Sequence, residues 1–226
     1  MKTMKITQLL LVFLILTSSG FTQKSKQTTL ITEIGENRYS IVEKRKDQIL
    51  MEGELTSVKP LVREGIFKFY HKKAWLFAEG SYKNNKPTGI WRYYDKHGSI
   101  EHELDYTQAW EALKQEPKDL GEVYFVVEDM PTFRGKSKKE FEKYLADHLV
   151  YPAYARVNGL EGKVYINFTL DRKGNICNIE FYKSHANKDL NMEALRLIIS
   201  NPDWTPGYQR RKEVPVSMTF PVVFEF

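Results

Sequence analysis

The sequence predicts an α+β protein in two parts: an N-terminal antiparallel β meander built of repeated hairpins, then a two-layer domain in which two helices cover a small antiparallel or mixed sheet. Three observations predict it. In the last stretch Val214, Val216, Met218, Phe220, Val222, Phe224 and Phe226 take every second position, so one extended strand puts all of them on one buried face. In the middle, Gly65-Ile66-Phe67-Lys68-Phe69-Tyr70 recurs 24 residues later as Gly89-Ile90-Trp91-Arg92-Tyr93-Tyr94. Between them and the end, two apolar patterns at helical spacing alternate with strand patterns.

The chain has 226 residues, 42% hydrophobic and 28% charged, which is ordinary for a folded soluble protein. Lys2 and Lys5, an apolar run from Leu9 to Leu16 with Ile6 before it, and then Thr17 to Gln23 give the basic, apolar, small-residue order of a secretory signal peptide. The run is too short to cross a hydrocarbon layer of about 30 Å. The expectation is therefore export to the periplasm with cleavage after Gly20 or Thr22; the alternative is an uncleaved anchor in the inner membrane. Outside the cytoplasm the net charge of +5 fits anionic envelope surfaces or acidic protein partners. No dense Lys/Arg block supports nucleic acid, since Arg210-Arg211-Lys212 is a short basic cluster in a loop. Cys177 is the only cysteine and falls in a strand pattern, so a small buried thiol is expected and no internal disulfide is available.

Residues 1–22 are read as signal peptide, 23–38 as an N-terminal segment, 39–106 as the repeat domain, 107–121 as linker and 122–226 as the C-terminal domain. In the repeats, Met51-Glu52-Gly53-Glu54-Leu55 precedes the first copy and Ala78-Glu79-Gly80-Ser81-Tyr82 the second. Turns fall at Lys83-Asn84-Asn85-Lys86-Pro87 and Asp95-Lys96-His97-Gly98. Aromatic residues at this spacing are expected to form the repeat's own core. The second copy resembles the bacterial MORN-type repeat also found in YwqK-like proteins, a resemblance that implies a repetitive hairpin scaffold and little chemistry.

In the C-terminal part, Glu122-Val123-Tyr124-Phe125-Val126-Val127 is a strand-like run. Ser137-Lys138-Lys139-Glu140 reads as a capping box ahead of Phe141, Tyr144, Leu145 and Leu149. Tyr151-Pro152 ends that helix. Val164, Ile166, Phe168 and Leu170 alternate as a strand, Asp171 to Asn175 forms a turn, and Ile176 to Tyr182 returns as its hairpin partner. A second helix is expected from Asn191, as N-cap, to Ser200, stopped by Asn201-Pro202. In the last strand Pro215 and Pro221 both belong to the odd set, so two N–H groups are missing on one side; this predicts an edge strand, with Ser217 and Thr219 keeping free main-chain groups on the outward side.

Tyr151-Pro152 with Ala155, Gly159-Leu160-Glu161-Gly162, Val164, Phe168, Asp171, Gly174, Ser184, Leu190, Ala194-Leu195, Pro202, Trp204, Pro206-Gly207, Pro221 and Phe224 together resemble the TonB C-terminal domain. The preceding Val126 to Gly135 is similar to the leader this domain carries in Bacteroidetes proteins. The resemblance covers Tyr124 to Phe226. It implies a protein-binding module that captures a short extended segment of an outer-membrane receptor, the TonB box, by pairing it with its own edge strand. Carried over, the docking edge is Val214 to Val223, comprising Val214, Val216, Ser217, Met218, Thr219, Phe220, Val222 and Val223, with Arg156 in a loop close to the bound segment. Tyr151, Pro152, Trp204 and Pro206 are expected to be fold residues.

A complete energy transducer of this family also needs a membrane helix and a long Pro-rich spacer, and neither is legible here. The leading expectation is a periplasmic protein that binds an extended peptide by strand addition and is linked to TonB-dependent transport. The alternative is an envelope scaffold whose repeats hold cell-wall or protein partners without energy transduction. A homodimer through the last strand is the other partner reading, because open edges also pair with themselves. The five histidines lack metal-ligand spacing and no nucleophile elbow or phosphate loop occurs, so no enzyme, cofactor or metal is expected.

Overall fold

The computed structural model describes residues 12–14, 27–71, 75–200 and 203–226. The chain divides into two compact units between Leu104 and Asp105. The first is one antiparallel meander in which consecutive strands are neighbours: β1 (Val12–Leu14), β2 (Gln27–Gly35), β3 (Arg38–Arg45), β4 (Gln48–Val58), β5 (Leu61–Tyr70), β6 (Leu76–Lys83), β7 (Lys86–Tyr94) and β8 (Ile100–Asp105). The sheet therefore starts before Tyr39, and the expected N-terminal segment supplies β2. Apart from β1, which pairs with β2, the expected signal peptide and its cleavage sites lie outside the described residues.

The 24-residue period has a packing cause. Phe67 and Trp91 lie flat over Gly53 and Gly80: a Cβ on Gly53 would stand 2.5 Å from the Phe67 ring, and one on Gly80 would stand 2.2 Å from the Trp91 ring. Glycine is required because a ring occupies the space of its side chain. Phe67, Phe69, Tyr82, Trp91 and Tyr93 are all buried on that face, with Tyr82 edge-on to both Phe67 and Trp91 at 5.1 Å. The same repeat is visible on the other face, where the Tyr70 hydroxyl donates to Glu52 at 2.6 Å and the Tyr94 hydroxyl donates to Glu79 at 2.8 Å. Burial and the hydrogen bond to Glu52 push the Tyr70 phenol up to about 12. Across this face Glu52, Lys68, Glu79 and Arg92 stand opposite one another on successive strands, and Arg92 closes the row on Glu103 at 3.0 Å. Signs alternate along the row, the cross-strand arrangement that stabilises a sheet.

The second unit contains α1 (Thr107–Ala112), α2 (Lys138–His148), α3 (Ala153–Asn158), β9 (Gly162–Leu170), β10 (Ile176–Lys183), α4 (Lys188–Ile199), β11 (Gly207–Gln209), β12 (Lys212–Val214) and β13 (Val216–Phe224). Its main sheet has the order β10-β9-β13, antiparallel throughout, and β11 and β12 form a separate ribbon. Val164, Ile166, Phe168, Leu170, Val216, Phe220 and Phe224 are fully buried on one face, against which α2 and α4 pack. At the centre Phe141 of α2 meets Trp204 and Phe220, each at 4.8 Å between centroids.

Several expectations are corrected here. The segment read as a linker belongs to the C-terminal unit, together with Tyr106, the last residue of the expected repeat domain: Tyr106 and Ala109 are buried, α1 packs on α4, and the Tyr106 hydroxyl donates to Glu193 at 3.0 Å. Glu193, fully buried, also accepts from the Val150 N–H and from Arg196, whose 2.7 Å ion pair satisfies the carboxylate. Burial of Arg196 opposes its charge, but the bond to Glu193 prevails and raises its pKa. The second helix starts one turn earlier than Asn191. Asn187 is its N-cap, accepting from the Asp189 and Leu190 N–H groups, while the Asn191 side chain binds both main-chain groups of His185. The earlier start brings fully buried Leu190 into the helix, and the Asn191 side chain is spent on His185, which decides between two asparagines able to cap. The Asn201-Pro202 stop lies outside the described residues. Ser137 does occupy the N-cap of α2 but makes no side-chain capping bond, so the expected capping box does not form.

Candidate functional site

The site is built from β9 outward. Asp171 turns the chain between β9 and β10 by accepting from the Lys173 and Asn175 N–H groups at 2.8 and 2.9 Å. Partial burial works against its charge, but the Asn175 and Lys173 bonds outweigh it and lower its pKa. Gly174 must be glycine, because its φ is +81° and a Cβ would stand 2.1 Å from the Trp204 carbonyl oxygen. The turn thus locks the loop before the ribbon against the hairpin that β13 pairs with.

β13 pairs with β9 without interruption from Val216 opposite Leu170 to Phe224 opposite Gly162. The Ser217 N–H and the Pro215 carbonyl point away from β9, toward Tyr124, so the odd-numbered residues carry the outward main-chain groups and the even-numbered ones bond to β9. On the outward side Pro215 and Ser217 are already engaged: the Tyr124 N–H donates to the Pro215 carbonyl at 2.9 Å, and the Ser217 N–H donates to the Tyr124 carbonyl at 2.8 Å, a parallel bridge. Beyond it lie the Ser217 carbonyl, both groups of Thr219, the Pro221 carbonyl and both groups of Val223, for which no main-chain partner occurs among the described residues.

The side chains beside this edge are held off it. Asn167 donates to Ser217 Oγ and to Thr219 Oγ1, both at 3.0 Å, drawing the two side chains over the sheet face. Phe226 donates its N–H to Glu161 at 3.0 Å and stacks on Tyr151 at 4.4 Å, turning the chain end toward the β9 side. The opposite edge of the sheet is treated differently. β10 is broken by register shifts, Asn178 has a φ of +49°, and its side chain both donates to and accepts from the main chain of Lys118 at 2.9 and 2.7 Å. A bulge and a side-chain clamp blunt that edge, whereas the β13 edge stays straight.

The sequence-derived site residues are sorted by this geometry. Val214 is not on the edge: it lies in β12, paired with Gly207 in the ribbon, because Pro215 ends the ribbon before β13 begins. Val216, Met218, Phe220 and Val222 are buried, with main-chain groups committed to β9, so they support the edge from behind. Ser217, Thr219 and Val223 carry outward groups, the first with its N–H taken. Pro221, which was not among the predicted site residues, also faces outward. Arg156 is exposed on α3, whose missing loop character is explained by Pro152 at the N-cap and Gly159 in a left-handed C-cap; that helix packs against α4. Phe226, expected on the buried face, is exposed. Cys177 is buried, and its thiol donates to the Thr169 carbonyl; burial raises its pKa. Among the described residues no group of His, Cys, Asp and Glu is arranged to hold a metal, and no helix is long and apolar enough to cross a membrane.

A three-stranded antiparallel sheet with two helices on one face and one straight outer edge is the class of domain in hand. Residues 147–226 match the family model described as Gram-negative bacterial TonB protein C-terminal, a stretch that holds α3, α4 and every strand of that sheet. The match points to a TonB-like role in envelope transport. No curated protein and no solved structure matches the chain.

Proposed function

We propose that this protein works in the periplasm, where the C-terminal unit binds an extended segment of an outer-membrane receptor, or of another envelope protein, by adding it as a fourth strand beside β13. The observation that carries the reading is the contrast between the two sheet edges: β10 is bulged and clamped, while β13 beyond Ser217 keeps a run of unpaired acceptors and donors. A visiting strand gives N–H groups to the carbonyls of Thr219, Pro221 and Val223 and accepts from the N–H groups of Thr219 and Val223. Pro221 has no N–H, so one visiting carbonyl goes without a partner there. Recognition rests mainly on main-chain groups, each bond contributing about 1 kcal/mol net. The family match supports a link to TonB-dependent transport. Removal of the N-terminal leader would release the protein into the periplasm rather than leave it anchored, which the mass of the mature N-terminus checks directly.

The repeats serve as a MORN-like scaffold. Their aromatic residues are core, so the contact surface they offer is the polar face bearing the alternating charge row.

A photo-crosslinking side chain in place of Val223, in cells, tests the reading. The expected adduct is an extended segment of an outer-membrane protein, with no such adduct from Lys183 on the opposite edge. Adducts only to a second copy of the chain would make the edge a homodimer interface, and equal adducts from both edges would remove the docking assignment.

A further inference from the structure

The run Glu122 to Val127 has the composition of a strand, yet only Tyr124 pairs with anything in a sheet, and what it pairs with is the outer edge of β13. Its two main-chain bonds to Pro215 and Ser217 are of ordinary length. Little else holds this part of the leader there. Phe125 and Val126 are 73% and 80% exposed, and the Tyr124 hydroxyl bonds locally to Glu122 at 2.8 Å. Five residues on, Asp129 exchanges both main-chain bonds with Tyr208 of the ribbon, which tethers the leader beside the edge whether or not Tyr124 is attached. In a parallel pair the next step after Tyr124 would place the Val126 N–H on the Ser217 carbonyl and its carbonyl on the Thr219 N–H, the next outward groups in line.

We propose that Glu122 to Val126 is a built-in occupant of the β13 edge, an autoinhibitory strand that holds its first position through Tyr124 and competes with an incoming segment. The inference rests on the docking role proposed above. A visitor confined to Thr219–Val223 leaves the strap in place. A visitor that extends past Ser217 has to release it. The competition is weak by construction, because release breaks two main-chain bonds while Val127, buried beside Gly207 of the ribbon, and Asp129 stay in place, and tethering makes rebinding fast. Release therefore shifts the affinity of a long visitor by on the order of ten-fold.

Hydrogen exchange on the full chain tests the strap without any partner. The Met218 and Phe220 amides, bonded to β9, should exchange slowly, the Thr219 amide should exchange freely, and the Ser217 amide should fall between them. Tyr124→Pro removes one of the two bonds and should bring Ser217 toward the Thr219 rate while leaving Met218 unchanged, which also reports that the variant is folded. In trans, a synthetic peptide of residues 121–128 should bind the Tyr124→Pro chain about ten-fold more tightly than the wild-type chain, and Thr219→Pro should abolish both. Equal affinities, no binding to either chain, or a Ser217 amide as free as Thr219 in the wild type would each overturn the strap. None of those outcomes touches the crosslink from position 223, so failure of the strap and failure of the docking reading are separable.

Discussion

Gly80 lies beneath Trp91 so closely that the smallest side chain has nowhere to go, and Gly53 repeats the arrangement beneath Phe67. Gly80→Ala is expected to destabilise the first unit by about 1–3 kcal/mol, read as a lowered urea midpoint with unchanged slope. A second residue makes a pH prediction. Burial raises the Glu43 carboxyl above its ordinary value near 4.5, against the smaller pull of its bond from Gln27 and of Arg63. An acid with a raised folded pKa binds more protons folded than unfolded. Its contribution therefore falls as pH rises from the ordinary value through the folded one. Glu43→Gln keeps an acceptor for Gln27 and removes that loss, so the variant should gain in melting temperature relative to wild type on going from about pH 4 to about pH 8. A difference independent of pH would contradict the assignment.

At the scale of elements, β13 is two-sided in the plane of the sheet, and neighbouring positions should respond oppositely to proline. Met218 donates toward β9, so Met218→Pro should cost about 1–3 kcal/mol of stability. Thr219 points outward, so Thr219→Pro should leave the melting temperature nearly unchanged and remove docking. Circular dichroism melts of the two variants separate the faces. This much was legible in the sequence, because prolines at 215 and 221 mark one side of a strand through their missing donors. The end of the open edge at Ser217 was not legible. It is made by the main chain of Tyr124, and a main-chain bridge leaves no mark in residue type. The helix starts divide in the same way: two asparagines, 187 and 191, can each cap, and only the burial of Leu190 and the bonding of Asn191 to His185 in three dimensions decide between them. Arg156 in a helix rather than a loop depends on a cap at Gly159 whose role becomes visible only with its φ of +61°.

For the whole molecule, the two units follow different rules of legibility. The meander repeats one local solution, an aromatic ring over a glycine, so its period could be read directly. The boundary after it could not, because residues 107–121 look like connector in composition while Tyr106 and Ala109 are buried in the second unit. A chain cut to begin at 122 leaves buried Glu193 without the Tyr106 hydroxyl and should be about 1–3 kcal/mol less stable than one beginning at 105, by urea unfolding. Equal stabilities would make residues 105–121 a connector with no part in the second unit's core.

The central claim is that the outer side of β13 beyond Ser217 receives a visiting strand. The most direct measurement is the yield of the crosslink from position 223 in cells when Thr219→Pro is added, with folding checked by its melt. The adduct to the outer-membrane protein should disappear while the domain stays folded; an undiminished adduct would mean that the partner does not pair with this edge.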